Sequence, residues 1–514
     1  MNEAGTAHAG HCCQAAGCSG CTAGGVRRRE FVTGVGAAAA GLALAGSAAA
    51  QGGDPVRQAP IRTPLKVQPV LLYSTPQRRE ATSWREWGGV QTEQDANAER
   101  ARIQGELEQM KKGAEFPLEI LPLAPVKSME EAAAVAKGAY DVALIYAAGG
   151  SAGVLEALTS PERRNLIFLR HRSGPAYLWY EIAHPRYLRK TVDETYPGLT
   201  PDDIVVDSHA EVLWRLRALG GLKNAMGKRI IALGGASGWG ADGGSAPERA
   251  RDVWKFDIQD VSYGDLGERL KRARADEALV KRCRSDANRY LGQKGATLET
   301  SRDFVERAFV VTEVIRGLLD EFHTDAFTIN QCMGTVMGVS ETTACLPLSL
   351  LNDAGYMAFC ESDFVVIPSG VLLHYISGKP MFLNDPTYPH DGIVTCAHCT
   401  APRKMDGSHM EAARILTHYE SDYGAAPKVE FRKGQSVTNI APDFSGKRWV
   451  GAGGEVVGSP FMPICRSQMD IGLKGDTRKL VEEMRGFHWM TCYGDYLREV
   501  GYAAGKAGVA WVQV

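Results

Sequence analysis

Val67-Gln68-Pro69-Val70-Leu71-Leu72-Tyr73 is a short apolar run with β-branched members, and such a run reads as a buried strand. Outward from it, segment 92–113 is highly charged but sets Ile103, Leu107 and Met110 at helical spacing before a stop at Gly113. Segments 118–121 and 142–146 are further strands, with an alanine-rich helix at 128–138 between them. Strands and helices alternating at these lengths imply a parallel sheet covered on both faces. Residues 66–172 are therefore expected to form an N-terminal, flavodoxin-like α/β domain.

The pattern repeats. Runs 166–169, 204–206 and 229–233 look like buried strands, and 210–219 and 308–322 look like helices, the latter with Val311, Ile315, Leu318 and Phe322 on one face. A second α/β domain over 173–384 follows. After about Asp385 the chain changes to short β-prone runs, such as 429–431 and 449–450, broken by Gly, Pro and Ser clusters, with a helix at 479–484. The expected fold is α/β: two open parallel-sheet α/β domains followed by a β-rich C-terminal domain over 385–514.

Composition agrees. A chain of 514 residues is too long for one core, and 44% hydrophobic content excludes disorder for the bulk. With 58 basic against 60 acidic side chains the net charge is -2, which leaves no basic footprint for nucleic acid.

Residues 1–50 have the layout of an export signal. Arg27-Arg28-Arg29-Glu30-Phe31-Val32 precedes a Gly, Ala, Val and Leu run that ends in Ala48-Ala49-Ala50. The Arg-Arg-x-Phe-Val core resembles a twin-arginine signal, and the run is too short and too rich in Ala and Gly for a permanent transmembrane helix. The expectation is an exported, periplasmic protein with no stable membrane insertion, matured near Gln51 and beginning with a linker over 51–65. Cys12, Cys13, Cys18 and Cys21 would leave with the leader; with His11 they are either donors for a soft metal or an incidental tail. The other eight of the twelve cysteines, Cys283 to Cys492, are scattered through a chain that needs no disulfide staples.

Gly234-Gly235-Ala236-Ser237-Gly238-Trp239-Gly240 follows a strand and could bring amides to an anion. Its spacing is not the dinucleotide fingerprint and no Gly-Lys-Ser/Thr follows, so it reads as a turn using glycine for positive φ. The denser chemistry lies in 325–398. Glu361, in Cys360-Glu361-Ser362-Asp363, and Asp385, in Leu383-Asn384-Asp385, each end an apolar run that reads as a strand. Strand-end carboxylates face the crevice where open α/β sheets bind ligands. Two of them close together repel unless a cation or a proton is shared. His398, in Cys396-Ala397-His398-Cys399, and His488, in Phe487-His488-Trp489, offer imidazoles. Oxygen donors plus imidazole suit Mn2+ or another divalent cation. A zinc site at Cys396, Cys399 and a histidine competes, although no second Cys-x-x-Cys follows.

The block from Thr328 to the C-terminus resembles the L-fucose isomerase and L-arabinose isomerase superfamily. The 24-residue separation of Glu361 and Asp385 suits the family's two carboxylate ligands, and Phe487-His488-Trp489-Met490-Thr491 resembles the stretch bearing its late histidine. Gly227-Lys228-Arg229-Ile230-Ile231-Ala232-Leu233 resembles the opening of the family's second domain, and His398 matches a histidine that the arabinose isomerases use. The resemblance implies a metal-dependent aldose–ketose isomerase acting through a cis-enediol. Glu361 and Asp385 would be its acid/base pair and metal ligands, with His488 and His398 completing the shell around Mn2+. Gln331 would bind a hydroxyl of a monosaccharide substrate, and the chain would form a homo-oligomer. The polar segment 417–422 suits a pocket wall. The alternative is an exported sugar-binding or scaffold protein that keeps this fold without catalysis.

Overall fold

The residues described by the computed structural model run from 62 to 514; the leader, its cysteines and most of the 51–65 linker lie outside them. The opening apolar run is β1 (Leu65–Leu72), whose last four residues are all buried. It pairs in parallel with β2 (Leu118–Ile120), β3 (Ala124–Val126) and β4 (Val142–Ala147), and the sheet continues through β5 (Arg164–Leu169) to β6 (Ile204–Val206). Every residue of β4 is buried, as a strand between two helical layers must be. The helix Glu93–Lys112 begins where Thr92 accepts from the Asp95 amide while the Asp95 carboxylate accepts from the Thr92 amide, and Ile103, Leu107 and Met110 are buried.

The expected boundary at 172 is displaced, because β6 pairs with β5 and so belongs to the first sheet. The chain between them is a long excursion through Leu178–Ile182 and Ala183–Leu188. Trp179, Tyr187 and Tyr196 pack from it against the sheet's core without any strand or helix period long enough to read. Just past β5, Arg170 has no exposed surface. Its guanidinium meets Glu99 at 2.5 Å and Glu106 at 2.6 Å, and Glu99 is itself only 1% exposed.

The second parallel sheet has the order β11-β10-β7-β8, from β7 (Arg229–Leu233), β8 (Asp257–Val261), β10 (Ala326–Ile329) and β11 (Met357–Phe359). The helix Arg302–Glu321 buries Val311, Ile315 and Leu318 against it. Helix Cys345–Asp353 is buried along its whole length, and its Asn352 grips β11 from the side. The Asn352 amide donates to the Ala358 carbonyl at 2.7 Å, and Oδ1 accepts from the Ala358 N–H at 3.2 Å.

The C-terminal part is antiparallel, comprising β12 (Phe382–Pro386), β13 (Ile393–His398), β16 (Ser436–Pro442), β17 (Arg448–Gly458), β18 (Ser467–Leu473) and β19 (Trp489–Tyr493). These strands follow the order β16-β19-β12-β13-β18-β17, and β17 pairs back onto β16, closing a barrel. The last strand, β20 (Ala510–Gln513), adds in parallel to β17. A small sheet of β9 (Ala296–Leu298), β14 (Ala413–Leu416) and β15 (Ala426–Val429) stands beside it. The expected fold class is therefore the observed one. One placement needs correction: Asp385 lies inside β12, an antiparallel barrel strand, and does not end a strand at the crevice of an open parallel sheet; because β12 starts at Phe382, the expected boundary at 385 is displaced too. A run of five residues with buried apolar members looks the same in either setting. Among the described residues no helix is long and apolar enough to cross a membrane.

Candidate metal centre

The second sheet and the barrel supply one side of the site each. Glu361 follows β11 at the carboxyl end of the parallel sheet, in left-handed backbone at φ +63°, with Ser362 next to it at +51°. Such backbone costs a non-glycine residue roughly 1–2 kcal/mol. The Ser362 hydroxyl holds the turn by donating to the Gly235 carbonyl at 2.9 Å. Asp385, His398 and His488 come from three neighbouring barrel strands. β12 carries Asp385 between β13, which ends at His398, and β19, which starts one residue after His488.

The donors converge. His488 Nε2 lies 3.4 Å from a Glu361 oxygen and 3.3 Å from Asp385 Oδ1, and His398 Nε2 lies 3.4 Å from the other Glu361 oxygen. These separations are long for hydrogen bonds, and Asp385 Oδ1, His398 Nε2 and His488 Nε2 are buried with no hydrogen-bond partner. Adjacent ligands on an octahedral ion with bonds of about 2.1 Å stand about 3 Å apart. A divalent cation therefore fits, and Glu361, His398 and His488 form a group able to hold one.

Outer contacts fix both rings. The His488 Nδ1 meets Asp363 Oδ2 at 2.7 Å, and the His398 Nδ1 meets Thr400 Oγ1 at 2.9 Å. Each directs Nε2 at the centre. Without an ion, burial disfavours a charged ring, but Glu361 and Asp385 outweigh it and push His398 up to about 9. For His488, burial is likewise outweighed, by Asp363, Glu361 and Asp385, and its pKa rises to about 10. Burial pulls Glu361 upward, yet the two imidazoles win and hold it well below the usual carboxylate range. In Asp385 burial prevails, and its pKa is raised.

The glycine-rich turn after β7 is part of this site. Its amides serve carboxylates of the chain itself: Ala236 N–H donates to Asp260 and Trp239 N–H to Asp363, each at 3.0 Å. Gly238 is required by close packing, since a Cβ there would stand 2.6 Å from the Gly243 carbonyl oxygen. The turn projects Trp239, which stacks flat on Phe487 with ring centres 4.5 Å apart and meets the edge of His488.

Gln331 lines an adjoining cavity with the glycine turn and Glu361, its Oε1 accepting from the Thr335 hydroxyl at 2.8 Å. From segment 417–422, His418 and Glu420 line the wall beside Asp385 and His398. The competing zinc reading does not hold: Cys396 is buried in the main core, whereas Cys399 packs with Cys345. Asp363 and Thr400 escaped the sequence reading. Asp363 had a signal, being a second acid two residues beyond a candidate ligand. No family model matches this chain, and a search of curated proteins returns no significant match.

Proposed function

We propose that the chain is a metal-dependent aldose–ketose isomerase of the fucose and arabinose isomerase type, acting on a monosaccharide through a cis-enediol and exported by the twin-arginine route. What supports this reading above all is a trio of buried atoms without hydrogen-bond partners, Asp385 Oδ1, His398 Nε2 and His488 Nε2, gathered with Glu361 at 3.3–3.4 Å. Those four residues would hold Mn2+ or a similar ion. When bound, a divalent ion supplies Lewis-acid stabilisation of charge developing on neighbouring substrate oxygens.

The side chains supply the rest. Isomerisation moves a proton between C1 and C2, and a carboxylate within reach takes it from one carbon and returns it to the other. Asp385 and Glu361 would form that acid/base pair; Asp385 Oδ1 stands 3.3 Å from His488 Nε2, and burial raises its pKa, the direction that favours proton uptake. Glu361, held ionised between two imidazoles, suits charge balance and ligation. Gln331, which lines the adjoining cavity, would bind a hydroxyl, and the Trp239–Phe487 stack covers His488. The test is ketose formation from a panel of aldoses with Mn2+ present, in the full chain and in Asp385→Asn. Turnover lost in the variant supports the reading. A full chain that binds metal and sugar but turns over no aldose would favour sugar binding without catalysis.

A further inference from the structure

Outside the imidazole group, two sulfurs face one another beside the same carboxylate. Cys332 lies just beyond β10 and Cys360 just beyond β11, and these strands are paired neighbours, so both thiols stand in the crevice at the sheet's carboxyl end. Their Sγ atoms are 3.2 Å apart, and both sulfurs and a Glu361 oxygen lie within 4.8 Å of one another.

We propose that Cys332, Cys360 and Glu361 form a second metal site, for a thiophilic ion such as Zn2+ or Cu(I), joined to the first through Glu361. Two sulfurs on a tetrahedral ion with bonds of about 2.3 Å stand about 3.8 Å apart, so the thiols need to part by only about half an ångström. A disulfide would require them to close by more than that, to about 2.05 Å. Three protein ligands leave a fourth position open, as at sites that exchange a water or substrate. Access exists: a cavity of about 350 Å³ is lined by the glycine turn, Cys332 and Glu361. A smaller one of about 150 Å³ is lined by Cys332, Cys360, Glu361, Asp385 and His398, and so connects the two donor sets. Ligand chemistry sorts the ions, with thiolates selecting the softer metal and the imidazole–carboxylate set the harder one. Both thiols give up their protons to solvent when the ion binds.

The test uses the full chain with Cys12, Cys13, Cys18 and Cys21 replaced by serine, reduced and stripped of metal, with Zn2+ alone for stoichiometry and Co2+ alone for absorbance. Expected are two ions per chain and a thiolate-to-cobalt charge-transfer band. In C332S/C360S the band disappears and one ion is lost, while Mn2+ still binds. The single C332S variant, at a half-buried position, cuts the band's intensity and weakens Zn2+ binding should the double variant fail to fold. Absence of the band, its survival at full intensity in either variant, or a thiol count showing Cys332 joined to Cys360 in the fresh protein would overturn the proposal. Metal counts and absorbance are read without substrate, so failure here is separable from failure of the isomerase reading.

Discussion

The imidazole of His488 is bound through Nδ1 to Asp363 Oδ2 at 2.7 Å, and neither side chain has more than 1% of its surface exposed. A buried carboxylate at Nδ1 keeps the proton on that nitrogen and leaves the Nε2 lone pair for an ion. Asp363 also accepts from the Trp239 and Val365 amides, so it ties the glycine turn to the histidine.

Asp363→Asn should therefore weaken Mn2+ binding by roughly 10–100-fold, the usual cost of losing such a partner. Titration of the metal-free chain, read by the electron paramagnetic resonance of free Mn2+, measures it. An unchanged affinity would show that Asp363 only supports the turn.

Glu361→Gln should abolish turnover while leaving the fold intact. The amide preserves shape and backbone but removes the charge that both imidazoles face. Circular dichroism should overlay that of the parent, and ketose formation should fall to background. Retained isomerase activity would remove this residue from the chemistry.

The histidines make the metal-free protein sensitive to alkali. Their folded pKa values, about 9 and about 10, exceed the 6.5 of a free imidazole, so the stability they contribute is full below that value. It is lost as pH rises through 9 and 10. Glu361 acts oppositely: its depressed pKa contributes stability above its ordinary range, lost as pH falls through its own folded value. The melting temperature of metal-free protein should fall between pH 7 and pH 10. Mn2+ affinity should rise over the same window, since the ion must displace protons from the rings.

In the first domain, Arg170→Met should destabilise by about 3 kcal/mol, because it leaves buried Glu99 with only the half-exposed Arg102 and the Tyr177 hydroxyl as partners. Denaturant unfolding measures this. Replacing Glu99 by Gln in the same chain should recover part of the loss.

The layered architecture is legible because β1 and β4 are apolar along most of their length and the helix Glu93–Lys112 carries its own caps. The join at β6 is not, since aromatic packing of Trp179, Tyr187 and Tyr196 replaces periodic structure there. Nor is barrel closure: the β16–β17 pairing is set by tertiary register, which local pattern does not encode. Glu361, Asp385, His398 and His488 stand out by residue type, and the structure gathers all four. Asp363 is marked only by its spacing from Glu361 and the Cys332–Cys360 pair by nothing local, because their partners appear only when neighbouring strands bring distant loops together.

The ring of six strands has a mechanical corollary. Three donors hang from a hoop without free edges, whereas Glu361 rides on a short loop beyond an open sheet. Were ions of different radius exchanged here, Asp385, His398 and His488 would keep their spacing, and the adjustment would fall to the Glu361 side chain.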